Sequence, residues 1–133
     1  MAQIIYTDGS CMPNPGPGGY GFVVLPTKND RHEWHVSGGE ENTTTNNRME
    51  LTAVIEALKF CHDQKNFVIY SDSMYVINCA QGKWQRKKNV DLWQEYSSAS
   101  KDKNISWIWV KGHSNDYYNE IVDALAKKEV LCK

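Results

Sequence analysis

Four acidic residues stand where carboxylates could do chemistry. Asp8 and Asp72 each end a short apolar run, which predicts a carboxylate at the rim of a sheet. Glu50 is expected on the first turn of a helix, and Asp123 near the inner face of another. Four such acids repel one another unless cations join them, and Mg²⁺ prefers a few carboxylates with water and phosphate oxygens. A pair of ions held this way stabilises the attacking and leaving oxygens of a phosphodiester displacement.

A single acid carries little information, because most Asp and Glu residues only solvate a surface. The elements that position these four therefore decide the matter. Apolar runs predict strands over residues 3–8, 20–25, 32–37, 67–70 and 105–110. Apolar residues at helical spacing predict helices over residues 46–60, 75–80, 90–98 and 117–130. The Pro- and Gly-rich residues 13–19 are expected to form a loop that approaches other backbone closely.

This order of elements predicts an α/β fold with a five-stranded mixed sheet flanked by helices. The first three strands are expected to form an antiparallel meander, and the last two to enter as parallel strands through helical crossovers. Ligands of such sheets bind beyond the carboxyl ends of the strands. Asp8 and Asp72 are expected at those ends.

The composition is typical of one small domain, here expected over residues 1–133. Of these 133 residues 41% are hydrophobic, and no apolar run is long enough to span a membrane. Four cysteines without a CxxC pair predict reduced thiols in a cytoplasmic protein. A net charge of −1 argues against phosphate binding, but setting aside the four acids above leaves 12 acids against 15 basic residues, a balance of +3.

Four motifs follow one another along the chain. They are Thr7-Asp8-Gly9-Ser10 with the Pro/Gly-rich segment after it, Asn46-Asn47-Arg48-Met49-Glu50, Tyr70-Ser71-Asp72-Ser73, and Trp109-Val110-Lys111-Gly112-His113 with Asp123-Ala124-Leu125-Ala126. Together they resemble the motifs of ribonuclease H of the type 1 class over about residues 3–128. The resemblance implies a ribonuclease H-like fold. It also implies a metal-dependent endonuclease that cleaves the RNA strand of RNA–DNA hybrids and leaves a 3′-hydroxyl and a 5′-phosphate.

The resemblance further implies roles for single residues. Asp8, Glu50, Asp72 and Asp123 match the family's metal-binding carboxylates, with Asp8 bridging two Mg²⁺ ions and Mn²⁺ as a substitute. Asp123 would complete the site that activates the nucleophilic water, and Glu50 and Asp72 would hold the ion beside the leaving oxygen. His113 matches a histidine linked to catalysis and product release, whereas a loop histidine in other contexts merely contacts solvent.

Contacts to the hybrid are also implied. Minor-groove contacts, where a 2′-hydroxyl distinguishes RNA from DNA, are expected at Cys11, Asn14, Asn46 and Asn47. Helix capping is the other interpretation of the two adjacent asparagines. Contacts to DNA-strand phosphates are expected at Thr43, Thr45 and Asn89, where a polar loop is the ordinary explanation for the threonines.

Residues 83–88 form the strongest basic cluster of the sequence, with Lys83, Arg86, Lys87 and Lys88. Cations here would neutralise phosphates and make binding salt-dependent, and Lys87 and Lys88 are the expected contacts. A solvated surface is the alternative. Many ribonucleases H of this class carry a longer basic protrusion at this place, so the resemblance implies a shortened one in this chain.

Two other functions stay open. The same fold could belong to a DNA nuclease, junction resolvase or transposase-like domain, which the first two motifs disfavour. The second alternative is a hybrid-binding module without activity, or a domain of a reverse transcriptase. The complete set of four carboxylates argues against an inactive module. A monomer without membrane contact is expected from the family and the size.

Overall fold

The computed structural model describes residues 2–112 and 116–131. Within these ranges the chain forms five strands and four helices. In chain order they are β1 (Gln3–Cys11), β2 (Gly16–Val24), β3 (Trp34–Thr44), α1 (Asn46–Phe60), β4 (Asn66–Ser71), α2 (Met74–Ala80), α3 (Val90–Ala99), β5 (Asn104–Trp109) and α4 (Tyr117–Leu131). None of these helices has the length and apolar character that a membrane span requires.

The five strands form one sheet in the order β3-β2-β1-β4-β5. The pairs β1–β2 and β2–β3 are antiparallel, and the pairs β1–β4 and β4–β5 are parallel. The predicted mixed sheet, with a meander and two parallel strands, is therefore confirmed. Tyr6 pairs with Tyr70, so Asp8 and Asp72, each two residues further along, lie at the same edge of the sheet.

Successive residues of β1 and β2 point to opposite faces of this sheet. On one face Ile5 and Phe22 pack with α1, α2 and α3 in a large core that includes Leu51. On the other face Tyr6 and Val23 pack with α4 in a smaller cluster. The two faces thus bring helices from different parts of the chain to the edge where Asp8 lies.

The prediction of a loop over residues 13–19 is wrong in its second half, because β2 already begins at Gly16. Close approach is the physical reason that glycines occupy this strand. A Cβ on Gly19 would lie 2.3 Å from the Ala126 carbonyl oxygen, and a Cβ on Gly21 would lie 2.6 Å from Leu125 Cβ. The glycines therefore allow a strand to lie directly under α4, where the sequence indicated only a loop near backbone.

Candidate active site

Three of the four predicted carboxylates meet at the sheet edge. Asp8 of β1, Glu50 of α1 and Asp72 after β4 each offer an oxygen, and these oxygens lie within 4.8 Å of one another. Asp8 is only 3% exposed, and the other two residues are partly buried. The fold thus gathers acids that are far apart along the chain, at positions 8, 50 and 72.

Gly9 allows α1 to come this close to β1. A Cβ at this position would lie 2.3 Å from both the Glu50 nitrogen and the Met49 carbonyl carbon. Its N–H donates to Asp8 Oδ1 at 2.9 Å and to Glu50 Oε1 at 2.5 Å. Sequence reasoning did not single out this glycine as a site residue, although it directly follows a strand-ending aspartate within the first motif.

The start of α1 determines where Glu50 lies. Thr45 is the N-cap residue, and its hydroxyl accepts a hydrogen bond from the Arg48 N–H at 3.2 Å. Because the helix begins at Asn46, Glu50 lies in the second turn, and the expectation of the first turn is wrong. The adjacent Leu51 is fully buried, which fixes the rotation of the helix so that Glu50 faces β1.

The cluster is electrostatically strained without a cation. Burial raises the pKa of Asp8, and the charges of Asp72 and Asp123 raise it further. Burial and the neighbouring Asp8 raise the pKa of Glu50 well above its usual range. Asp72 Oδ1 is buried and has no hydrogen-bond partner among residues 2–112 and 116–131. Crowded carboxylate oxygens, one of them unsatisfied, fit a hard divalent cation such as Mg²⁺.

The fourth acid, Asp123 of α4, lies beside the cluster. Together with Asp72 it lines a small cavity of about 20 Å³, whose other lining residues are Gly112, Asn119 and Glu120. Its Oδ2 accepts from Lys127 Nζ at 3.0 Å, one turn further along the helix. Asp123 is therefore close enough to share the cavity with Asp72, but an ion pair on its own helix engages it.

The predicted catalytic histidine, His113, lies outside the described residues. The chain before it does reach the site, because a Cβ on Gly112 would lie 3.5 Å from Asp72 Oδ2. Asn119 is also placed at the site, 3% exposed on the first turn of α4. The sequence contained a signal for it, because Asn119 precedes Asp123 of the last motif by four residues, about one helical turn.

The expected minor-groove residues lie together next to the cluster. Asn14 Oδ1 accepts from the Asn46 N–H at 3.2 Å, which ties the loop after β1 to the start of α1. Asn14, Asn46 and Asn47 are exposed. Cys11 is buried, and its Sγ lies 3.2 Å from the Gly16 carbonyl oxygen. Its thiol therefore faces the protein interior.

The residues expected to contact phosphates differ in whether their side chains already make hydrogen bonds within the protein. Thr43 is exposed at the end of β3. The side chain of Asn89 is held at both ends, since Oδ1 accepts from Arg48 Nη1 at 3.2 Å and Nδ2 donates to Tyr75 Oη at 2.9 Å. Lys87 and Lys88 are exposed on the segment before α3.

Comparison with known proteins gives the class of protein that this fold and site define. The ribonuclease H family model, described as RNase H, matches residues 1–131. The ribonuclease H of Ehrlichia canis (strain Jake) is 44% identical over 140 residues, which cover 96% of this chain and 93% of the relative. This chain belongs to the ribonuclease H family.

Solved structures agree with this assignment. LC9-RNase H1, a type 1 RNase H with the type 2 active-site motif, has a TM-score of 0.79 and 34% identity, with 98% of this chain and 72% of that chain covered. LC11-RNase H1, in complex with RNA/DNA hybrid, has a TM-score of 0.73 and 26% identity, with 95% and 97% covered. The resemblance to the type 1 class, the fold and the assignment as a ribonuclease H enzyme are confirmed.

Proposed function

We propose that this protein hydrolyses the RNA strand of RNA–DNA hybrids with the help of two Mg²⁺ ions, and leaves a 3′-hydroxyl and a 5′-phosphate. The observation that carries the proposal is the buried cluster of Asp8, Glu50 and Asp72, with oxygens within 4.8 Å of one another. Family membership supports the reaction. The hybrid bound to the similar LC11-RNase H1 supports the substrate.

The proposed metal ligands come from the resemblance to the family, and the clustering of Asp8, Glu50 and Asp72 supports three of them. By that resemblance Asp8, the least exposed of the three clustered acids, would contact both ions, and Glu50 and Asp72 would hold the ion beside the leaving oxygen. Asp123, which shares a cavity with Asp72, would complete the site on the side of the attacking water. When bound, the two ions supply charge neutralisation for both reacting oxygens and an acidified water. Mn²⁺ prefers similar oxygen ligands and is the proposed substitute.

His113 is proposed to carry a proton during hydrolysis and to assist product release. An imidazole titrates near neutral pH, so it can accept a proton from water or donate one to a leaving oxygen. The support is its place in the last motif, directly after Gly112, whose position approaches Asp72.

Recognition of the hybrid is proposed to use the polar rim around the cluster. The exposed Asn14, Asn46 and Asn47 can donate to and accept from 2′-hydroxyls, which mark the RNA strand. Cys11 is also proposed as a minor-groove contact, and because the residue is only 3% exposed the support for it is the resemblance alone.

Phosphates of the DNA strand are proposed to contact Thr43, Thr45 and Asn89. Of these, Thr43 is exposed, and Thr45 and Asn89 are partly buried. Lys87 and Lys88 are proposed to add salt-dependent affinity, since both are exposed and positively charged.

The proposal includes a monomeric, cytoplasmic enzyme with one catalytic domain over residues 1–133. Support for one domain comes from the family match over residues 1–131 and from the single sheet that contains all five described strands. Cys11, Cys61 and Cys79 are buried free thiols, which suits a reducing compartment. Cys132 lies outside the described residues.

The test compares substrates and variants in one assay. End-labelled RNA–DNA hybrid, duplex RNA and duplex DNA are incubated with the protein and Mg²⁺, and the product ends are mapped. Asp8→Asn and Asp72→Asn remove one site charge each, and Asp63→Asn removes an exposed acid as the matched control. We expect cleavage of hybrid RNA alone, loss in both site variants, and normal activity in the control.

Each contrary result selects an alternative. Equal cleavage of duplex DNA would assign the protein to the DNA nucleases or resolvases. Binding of hybrid without cleavage by the unaltered protein would assign it to the non-catalytic binding modules. Undiminished activity of the Asp8 and Asp72 variants would disprove the carboxylate site.

A further inference from the structure

The basic segment, residues 83–88, connects α2 to α3 and is exposed throughout. Its first part turns tightly off the end of α2. Gly82 has a φ of 77°, in the left-handed region that favours glycine. The N–H groups of Lys83 and Trp84 then both donate to the Asn78 carbonyl oxygen, at 2.9 and 3.2 Å. Backbone hydrogen bonds thus hold the beginning of the segment.

One cation of the segment is bound to the protein itself. Arg86 Nε donates to the Cys79 carbonyl oxygen at 3.0 Å, and Nη2 donates to the Ala80 carbonyl oxygen at 3.3 Å. These are carbonyls of the last turn of α2, and that of Cys79 also accepts from the Gly82 N–H at 3.2 Å. Nη1 donates to Ser97 Oγ of α3 at 3.4 Å. The guanidinium group therefore joins the end of α2 to the side of α3.

Aromatic rings of α3 hold the same guanidinium. Arg86 Cζ lies 4.6 Å from the ring centroid of Trp93 and 5.5 Å from that of Tyr96. A planar guanidinium can lie flat on a ring while its edge donates several hydrogen bonds in a fixed geometry, which the compact ammonium group of a lysine does not reproduce. Arg86 is thus held by α2 and α3 although its residue is exposed.

The lysines that follow Arg86 are placed differently. Lys87 and Lys88 are exposed, and within residues 2–112 and 116–131 neither side chain is engaged in an ion pair. Asn89 comes next, with its amide held by Arg48 and Tyr75. Lys87 and Lys88 therefore stand between two anchored residues.

Asn89, the anchored residue after the two lysines, connects the basic segment to the helix of the acidic cluster. Arg48, which donates to Asn89, lies on α1 two residues before Glu50. It also binds Asp91 of α3 through both Nη atoms, at 3.0 and 2.7 Å. The backbone directly after the two lysines is thus tied to the helix that carries Glu50.

We propose that Arg86 is a positioning residue, which orders Lys87 and Lys88 for binding to substrate phosphate without contacting phosphate itself. The inference rests on the proposed function for the identity of the substrate. A segment shortened to six residues has no helix of its own to hold it, and the Arg86 contacts take that place. A preordered pair of lysines loses less conformational entropy on binding.

Steady-state kinetics on the hybrid test whether Arg86 positions the lysines that bind phosphate. Arg86→Lys keeps the charge and loses the planar donors, so we expect KM to rise about 3- to 10-fold with kcat changed less than about twofold. Arg31→Lys makes the same chemical change at an exposed arginine on the loop before β3 and should leave both constants unchanged. An unchanged KM in Arg86→Lys would overturn the inference.

A double-mutant cycle separates positioning from direct contact. In a Lys87→Ala/Lys88→Ala background, Arg86→Lys should raise KM no further, because there is nothing left to position. If Arg86 bound phosphate directly, its effect would add to that of the lysines. Full additivity therefore refutes the positioning role even when KM rises in the single variant.

Limited trypsin digestion gives a readout that needs no substrate. Arg86→Lys leaves Lys83, Lys87 and Lys88 unaltered, so the rates of cleavage after these three residues report the exposure of the segment. We expect cleavage within the segment to become several-fold faster at an unchanged Tm of the protein. Loss of hybrid cleavage in the unaltered protein would disprove the proposed function, whereas a normal digestion rate in Arg86→Lys disproves the anchor.

Discussion

The carboxylates of the cluster and the carboxylate of α4 are held in two different ways. Asp8, Glu50 and Asp72 have oxygens within 4.8 Å of one another. Asp123 shares a cavity with Asp72 and is ion-paired to Lys127 on its own helix. The first three belong to elements with a large common core, whereas α4 packs on the opposite face over a smaller one.

The difference shows how one site can have a rigid and a more adjustable part. Glu50 is tied to Asp8 through the N–H of Gly9 and to the core through its buried neighbour Leu51. Asp123 depends on how closely α4 lies on β2, which Gly19 and Gly21 permit. We therefore expect changes in the cluster to be more damaging than changes at Asp123.

The largest expected effect compares Asp8→Asn with Asp123→Asn. Loss of the Asp8 carboxylate should lower kcat on the order of 10³-fold or more, and loss of the Asp123 carboxylate should lower it about 10- to 100-fold. Initial rates on labelled hybrid in saturating Mg²⁺ measure both. Equal losses would show that Asp123 is as central as Asp8 and would remove the distinction.

The second comparison uses glycine-to-alanine variants, Gly9→Ala to displace Glu50 and Gly21→Ala to displace Asp123. In Gly9→Ala the new Cβ would lie 2.3 Å from backbone atoms of α1, which cannot move aside, so Glu50 is displaced. A shift of this kind should cost about 10²-fold in activity and about 1–3 kcal/mol in the free energy of unfolding.

Gly21→Ala is the matched variant for the other part. Its Cβ would meet Leu125 Cβ at 2.6 Å and would push α4, with Asp123, away from the sheet. We expect a similar loss of stability and a smaller loss of activity, about 10-fold. Tm and kcat measured on both variants separate the two effects, and a larger activity loss in Gly21→Ala would contradict the expectation.

The effect of Mg²⁺ on Tm should distinguish the acidic cluster from Asp123 without an activity assay. Mg²⁺ relieves the repulsion among the clustered carboxylates, so it should raise the Tm of the unaltered protein in proportion to its binding. Asp8→Asn should raise the metal-free Tm and abolish the increase with Mg²⁺, since one of the crowded charges is gone. Asp123→Asn should retain most of the increase. A Tm independent of Mg²⁺ in the unaltered protein would argue against the metal site.

The smallest expected effect concerns the Arg48–Asp91 pair that joins α1 to α3. The Arg48 guanidinium lowers the pKa of Asp91 to about 2. A lowered pKa means that the contribution to stability is present above the unfolded value of about 3.9 and is lost as the pH falls toward 2. Asp91→Asn should therefore have a slightly lower Tm at pH 6, and the difference should vanish near pH 2. A difference that persists there has another origin.

Much of the fold could be predicted because local patterns coincide with the tertiary structure. The apolar runs before Asp8 and Asp72 are strands in which side chains pack on both faces of the sheet, as the runs indicated. The helical stripe that includes Leu51 is buried as predicted. These patterns are the direct consequence of burial, so they are readable without knowing the partners.

The extent of β2 could not be predicted in this way. Glycine has low strand propensity, and Gly16, Gly18 and Gly19 belong to a strand because the neighbouring strands pair with them: Gly18 and Gly19 pair with both β1 and β3, and Gly16 pairs with β3. Arg86 is a similar case, because a run of cations is typical of a solvated surface. Its binding to α2 carbonyls and to Trp93 is visible only when both helices are in place.

By itself the sequence determined which residue types end the strands, the order of the elements and the four motifs that identify the family. The tertiary structure alone decided which of the acids share one site and which is set apart by Lys127. The same holds for Gly9, whose N–H joins Asp8 to Glu50. The physical reason is that periodicity records which face of an element is buried, whereas distances between carboxylates depend on how closely two backbones approach.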